Sequence, residues 1–92
     1  MRNVEDWMRE KLKDPKFKKE YDALEDEYAL AGELIGARAR AKLTPEQVAK
    51  RMGTSQSAVA RLESGRAPSL SSLRKYARAT GHKVQIKLSK AG

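Results

Sequence analysis

Residues 43–65 read LTPEQVAKRMGTSQSAVARLESG, and the order of residue types in this stretch decides the fold. Thr44-Pro45-Glu46-Gln47 is a capping-box start: the Thr44 hydroxyl serves the Gln47 amide, the Gln47 side chain reaches back, and Pro45 suits a first helical position. Val48, Ala49 and Met52 give that helix an apolar face, and Gly53 takes the left-handed angles that end it abruptly. Ser55 caps a following helix from Gln56 to about Ser64, with Val59 and Leu62 turned inward, and Gly65 stops it.

Two short helices joined by a three- or four-residue turn containing glycine build a helix-turn-helix, and Ala49 is small where the two must cross closely. That geometry leaves Gln56, Ser57, Ala58, Ala60 and Arg61 near the outer, N-terminal part of the second helix, the part that enters the major groove in this motif. Gln pairs bidentately with adenine, Arg with guanine, and an alanine methyl meets the thymine methyl. Gln56 and Arg61 are therefore the first candidates for reading bases, with Ser57 and Ala58 behind them. Thr44, Arg51, Ser55, Ser64 and Arg66 flank the reading helix with hydroxyls, amides and cations suited to phosphates, which position a protein without reading sequence. The bland alternative is a helical pair whose polar residues are merely solvated.

Downstream, Arg66-Ala67-Pro68 forms a connection, and Ser69 or Ser71 caps a last helix with Leu70, Leu73, Tyr76 and Ala77 inward and Gly81 beyond its end. Lys83-Val84-Gln85-Ile86-Lys87-Leu88 then alternates strictly, the mark of a half-buried strand. A lone strand cannot satisfy its own backbone groups, so the expected partner is the same strand of a second chain across a two-fold axis, with Val84, Ile86 and Leu88 at the dimer contact.

Upstream, Val4, Met8 and Leu12 recur every fourth residue with Trp7 beside them, predicting a short amphipathic helix from Met1 to Leu12. Pro15 holds Asp14 out of helical angles, so that helix stops and Asp14 caps another. Phe17, Tyr21, Leu24, Tyr28, Ala31 and Ile35 mark an apolar seam along this helix, which runs to about Ala41, and Leu30 and Leu34 widen it where the core begins. Tyr28 is expected to be internal; Phe17 and Tyr21 suit either the core or a partner.

The charge of the chain is +8, unevenly spread: residues 1–30 hold seven basic and nine acidic side chains, residues 31–92 thirteen and three. Such a cationic excess binds polyanions through counterion release, which favours nucleic acid over an anionic membrane. Ninety-two residues with only 16 Leu, Ile, Val and Phe make one small domain with a thin core, so oligomerisation is expected. No cysteine is present for disulfides or thiolate metal sites, and Met1 leads directly into charged residues rather than a secretory leader, so the cytoplasm is the expected compartment. Catalysis is poorly served by a single histidine, His82, with no thiol and no glycine-rich phosphate loop. Glu25-Asp26-Glu27 points in several directions around a helix and reads as a solvated face rather than a cation site. Neither a metal, a cofactor nor a small-molecule substrate is expected.

Residues 43–65 resemble the phage-repressor-type (Xre/Cro-like) helix-turn-helix family, and the resemblance extends over residues 30–81. It implies an all-α, five-helix DNA-binding domain with the residues at Gln56, Ser57 and Arg61 facing bases. Pro45 departs from the many members that carry glutamine there, and its missing N–H removes an amide bond to phosphate. The wider arrangement, a charged helical extension with Asp14-Pro15-Lys16-Phe17, the motif, Pro68-Ser69-Leu70 and a short terminal strand, is similar to HigA-type antitoxins. This resemblance implies a cytoplasmic, nucleoid-associated bacterial homodimer that represses its own operon. It further implies a toxin-binding arm at residues 1–29, ahead of a DNA-binding and dimerisation part at 30–92, that masks a RelE/HigB-like ribonuclease toxin. On that arm Val4, Trp7, Met8, Leu12, Phe17 and Tyr21 are the candidate toxin contacts. A stand-alone phage-like repressor without a toxin is the alternative.

Overall fold

The computed structural model describes residues 3–91, which form five helices: α1 (Val4–Lys11), α2 (Pro15–Arg40), α3 (Pro45–Met52), α4 (Gln56–Leu62) and α5 (Leu70–Ala79). The fold is all-α, as the resemblance implies; the expected beginning of the first helix at Met1 and Arg2 lies outside the described residues.

Each start is set by a short polar side chain in extended backbone. Asn3 accepts from the Asp6 amide at 2.8 Å and Asp14 from the Lys16 amide at 3.0 Å. Ser69, rather than Ser71, caps α5 by accepting from the Ser72 amide. The α5 end is closed by left-handed Gly81: the Gly81 amide donates to the Arg78 carbonyl and the His82 amide to the Ala77 carbonyl.

The core is small, as the composition requires. Leu34, Val48, Ala49, Val59, Leu62 and Tyr76 are buried together, with Leu30, Leu43, Met52 and Leu73 packed against them. Val48, Val59 and Tyr76 have no solvent-accessible surface, so α3, α4 and α5 each contribute one fully enclosed side chain. The radius of gyration is 16.5 Å, against about 12 Å for a compact chain of this length, because the first half of α2 and the short α1 project from this core.

Three expectations are corrected, the smallest being Leu70, which at the first position of α5 is 40% exposed rather than inward. Tyr28 is not internal: it is 71% exposed, and Leu24 and Ile35 on the same side of α2 are also exposed. The domain docks on the side that Leu30 and Leu34 add to the seam, where Leu34 and Ala37 are buried and where Glu27 and Ala31 meet Gly65. The four-and-three repeat is real, but the apolar surface of α2 is wider than its docking face, and the aromatic stripe falls outside it. Residues 83–91 likewise form no strand; they lie without helix or ladder, with Lys83–Lys87 running along a groove between α2 and α5. No other extended segment exists among the described residues to pair with them, which is the physical reason a ladder does not form within one chain.

In the arm, α1 folds back on the start of α2. The Trp7 and Phe17 rings meet edge to face with centroids 6.2 Å apart, and Phe17 stacks on Tyr21 at 6.4 Å. The Lys11 ammonium lies 5.6 Å from the Trp7 ring centre. α2 itself passes through residues 29 and 30 without a break, so the arm and the core share one helix.

Candidate nucleic-acid interface

The turn between α3 and α4 is built as its residue types dictate. Gly53 has φ 68° and ends α3, while Ser55 accepts from the Ala58 amide at 3.1 Å and starts α4. Ala49 is 5% exposed and belongs to the same buried cluster as Val59, so a larger side chain there has to displace its neighbours. The angle between the helices is thereby fixed by packing rather than by the turn alone.

α4 has two faces. Val59 and Leu62 are buried, Ala58 is half-buried, and Gln56, Ser57, Ala60 and Arg61 are exposed. Gln56 and Ala60 are four apart, as are Ser57 and Arg61, so the exposed four form one continuous face. The Gln56 and Arg61 side chains make no hydrogen bond or ion pair among the described residues, so their donors are available to a ligand.

The candidate phosphate contacts differ in what they have left to offer. Thr44 forms the capping box, accepting from the Gln47 amide at 3.1 Å while its own amide donates to Gln47 Oε1 at 2.8 Å. Its hydroxyl proton stays available, as does that of Ser55, whose oxygen is the acceptor in its cap. Ser64 is different: its hydroxyl donates to the Arg61 carbonyl at 2.6 Å and so is spent closing α4. Arg51 donates from Nη1 to the Ala79 carbonyl at 3.0 Å, tying α3 to the end of α5. Arg66 is exposed, with its amide donating weakly to Ser64 Oγ.

The N-terminus of α3 offers little to an anion. Pro45 has no N–H, the Thr44 and Gln47 amides are used by the capping box, and Glu46 sets a carboxylate beside them. Cationic side chains must therefore carry most of any phosphate affinity. Arg61, Arg66 and Lys75 line one cleft, between the turn, α4 and the start of α5.

The end of α4 is held by a network that the sequence reading missed. Arg38 on α2 donates from Nε to Glu63 Oε2 at 2.7 Å and from Nη2 to Oε1 at 3.3 Å, and from Nη1 to the Leu43 carbonyl at 3.3 Å. Glu63 is the C-cap residue of α4. The Tyr76 hydroxyl lies 2.6 Å from Glu63 Oε2 and 2.9 Å from the Leu34 carbonyl, sharing its one proton between two acceptors. Bonding to Glu63 raises the pKa of Arg38, and burial, then the bond to Glu63, raises that of Tyr76. A signal existed: Arg38 lies one turn beyond Leu34 on the stripe that docks, and residues 31–92 hold only three carboxylates to pair with it.

Among the described residues no helix is long and apolar enough to cross a membrane, and no group of three or more His, Cys, Asp or Glu is placed to hold a metal ion. His82 Nδ1 lies 2.7 Å from the Thr80 carbonyl oxygen.

No curated protein and no solved structure gives a significant match to the chain. A family model described as Helix-turn-helix matches residues 35–84, which span the end of α2, the α3–α4 pair, α5 and the start of the tail. With more than half of its length in that match and the two-helix corner formed as described, the chain belongs to the Helix-turn-helix family, whose Xre/Cro-like members are DNA-binding regulators of transcription.

Proposed function

We propose that the chain is a cytoplasmic operator-binding repressor that acts on double-stranded DNA as a homodimer, and that its arm, residues 1–29, neutralises a RelE/HigB-like toxin encoded beside it. The observation that carries the DNA reading is the uncommitted face of α4: Gln56, Ser57 and Arg61 stand exposed on a helix whose angle is fixed by a packed core, with Ala58 at the margin. Phosphate contacts then fall to Thr44, Ser55, Arg51 and Arg66, with Ser64 contributing only if its hydroxyl leaves the Arg61 carbonyl.

The dimer is supported by the tail. Ile86 is 70% and Leu88 95% exposed, and a row of unpaired backbone groups beside them suits the same segment of a second chain. Val84, half-buried, anchors that segment to its own core. The toxin reading is supported by the acidic balance of the arm and by apolar surface left open on it, Val4 and Trp7 on α1 and Leu24 and Tyr28 on α2.

A stand-alone repressor is the second reading, and one observation favours it. Phe17 packs against both Trp7 and Tyr21, with Met8 and Leu12 half-buried, so the candidate toxin contacts Met8, Leu12, Phe17 and Tyr21 are already partly covered within the arm, while Trp7 keeps about half of its surface open. Co-purification separates the readings. Co-expressed with the product of the neighbouring gene, the full chain retains it while a chain lacking residues 1–22 does not, yet the shortened chain still shifts the DNA upstream of its gene. Loss of the shift from the full chain at low salt refutes the DNA reading; absence of any co-purifying nuclease leaves the stand-alone repressor.

A further inference from the structure

Two clefts meet at Lys75. On one side it lines the cleft with Arg61 and Arg66; on the other it shares a second cleft with Arg51 and Arg78. Lys75 and Arg78 are three apart on α5 and both exposed, so they present one face toward α3. Arg51 is held against that face by its bond to the Ala79 carbonyl. Five cations thus form a continuous band that starts on the reading helix and crosses to α5.

None of the five pairs with a carboxylate among the described residues. The three acids of residues 31–92 are elsewhere: Glu63 is taken by Arg38, Glu46 is in the first turn of α3, and Glu33 lines the groove under the tail. Mutual repulsion along the band is therefore not relieved by an ion pair among the described residues, and a polyanion relieves it while releasing its counterions.

We infer that Lys75 and Arg78 on α5, continuous with Arg51, form a second phosphate-binding zone that follows the DNA backbone flanking the groove read by α4. This assignment rests on the DNA-binding reading and extends it to a helix outside the two-helix corner. The zone contributes affinity and salt dependence but no base preference, because a lysine or arginine meeting phosphate oxygen reads charge alone. Arg74, exposed on α5 but lining neither cleft, lies outside it.

The test is a salt titration of binding to a random-sequence duplex about three helical turns long, followed by fluorescence anisotropy. Each phosphate contact removed lowers the slope of log affinity against log salt by about 0.9, so K75Q/R78Q lowers it by about 1.8 per subunit, whereas R74Q leaves it near the wild-type value. Both variants change exposed residues and are checked for an unchanged melting temperature. A K75Q/R78Q slope equal to wild type, or an equal loss in R74Q, overturns the zone while the DNA reading stands. A wild-type chain with no affinity for duplex DNA at 50 mM salt overturns both, and duplex binding lost beside retained binding to anionic vesicles reassigns the band to membrane.

Discussion

The guanidinium of Arg38 and the carboxylate of Glu63 form a two-pronged pair, 2.7 and 3.3 Å, between the long helix α2 and the C-cap of α4. Their side chains are 18% and 10% exposed, so the charges are largely removed from water and depend on each other. Arg38→Ala leaves Glu63 with only the Tyr76 hydroxyl and is expected to cost about 3 kcal/mol, a large share of the stability of a chain this small. Replacing both residues by Met and Leu is expected to recover most of the loss, because the desolvation cost disappears with the charges. Urea denaturation of the single and double variants measures it; an Arg38→Ala variant as stable as wild type denies the pair its role.

Gly65 and Gly53 both adopt left-handed angles, φ 75° and 68°, but their surroundings differ. A Cβ on Gly53 meets open space, so Gly53→Ala pays only for the backbone conformation, about 1 to 2 kcal/mol. A Cβ on Gly65 runs into the Glu27 carbonyl and lies 3.2 Å from the Ala31 nitrogen, both backbone atoms of α2 that cannot step aside. Gly65→Ala is therefore expected to cost at least about 3 kcal/mol and to push α2 away from the end of α4. Melting curves of the two variants decide: equal losses show that α2 is not docked on Gly65.

Tyr76 gives the fold a dependence on alkaline pH. Burial and the Glu63 bond raise its pKa above the usual tyrosine value near 10, so the folded chain keeps a proton that the unfolded chain releases. Stability from this source is complete below about pH 10 and falls as pH rises beyond it, by up to about 1.4 kcal/mol per pH unit. Tyr76→Phe is expected to start about 1 to 2 kcal/mol lower, from the lost hydroxyl bonds, and to decline less steeply above pH 10. Tyr21, also raised by its bond to Glu25, is present in both and cancels in the comparison. Parallel declines argue that Tyr76 releases its proton as readily folded as unfolded.

How much of this was legible depended on the distance over which each feature is decided. The capping box at Thr44 and Gln47, the Ser55 cap and the left-handed Gly53 are local chemistry, read from a few neighbouring residues and formed as read. The docking stripe of α2 was legible in part: Leu30 and Leu34 were expected at the core and lie there, but Tyr28 and Ile35 satisfy the same period and stay exposed, because the docking side is set by Gly65, 38 positions beyond Glu27. The Arg38–Glu63 pair joins residues 25 apart, which no local pattern reports. The arm divided: spacing found the aromatic residues, yet whether Phe17 meets Trp7 or a partner depends on how α1 folds back. The alternation of residues 83–88 is a property of one chain, while the ladder it suggests needs a neighbour.

Base reading and backbone holding predict different kinds of loss. Arg61 extends from the exposed face of α4, and Arg66 follows the helix in the connection to α5. If Arg61 pairs with a guanine, Arg61→Ala costs about 1 to 3 kcal/mol on the operator, relaxes preference at one base pair per half-site and changes random-sequence binding much less. Arg66→Ala weakens every duplex alike, by the salt-dependent share of one phosphate contact. Ala49→Leu removes both effects together, since forcing α3 from α4 misaligns the whole face without touching a DNA-facing residue. Gel shifts on the upstream DNA, on single-base variants of it and on random duplex separate the three; equal losses on operator and random DNA for Arg61→Ala make it a phosphate contact and move base reading to Gln56 and Ser57.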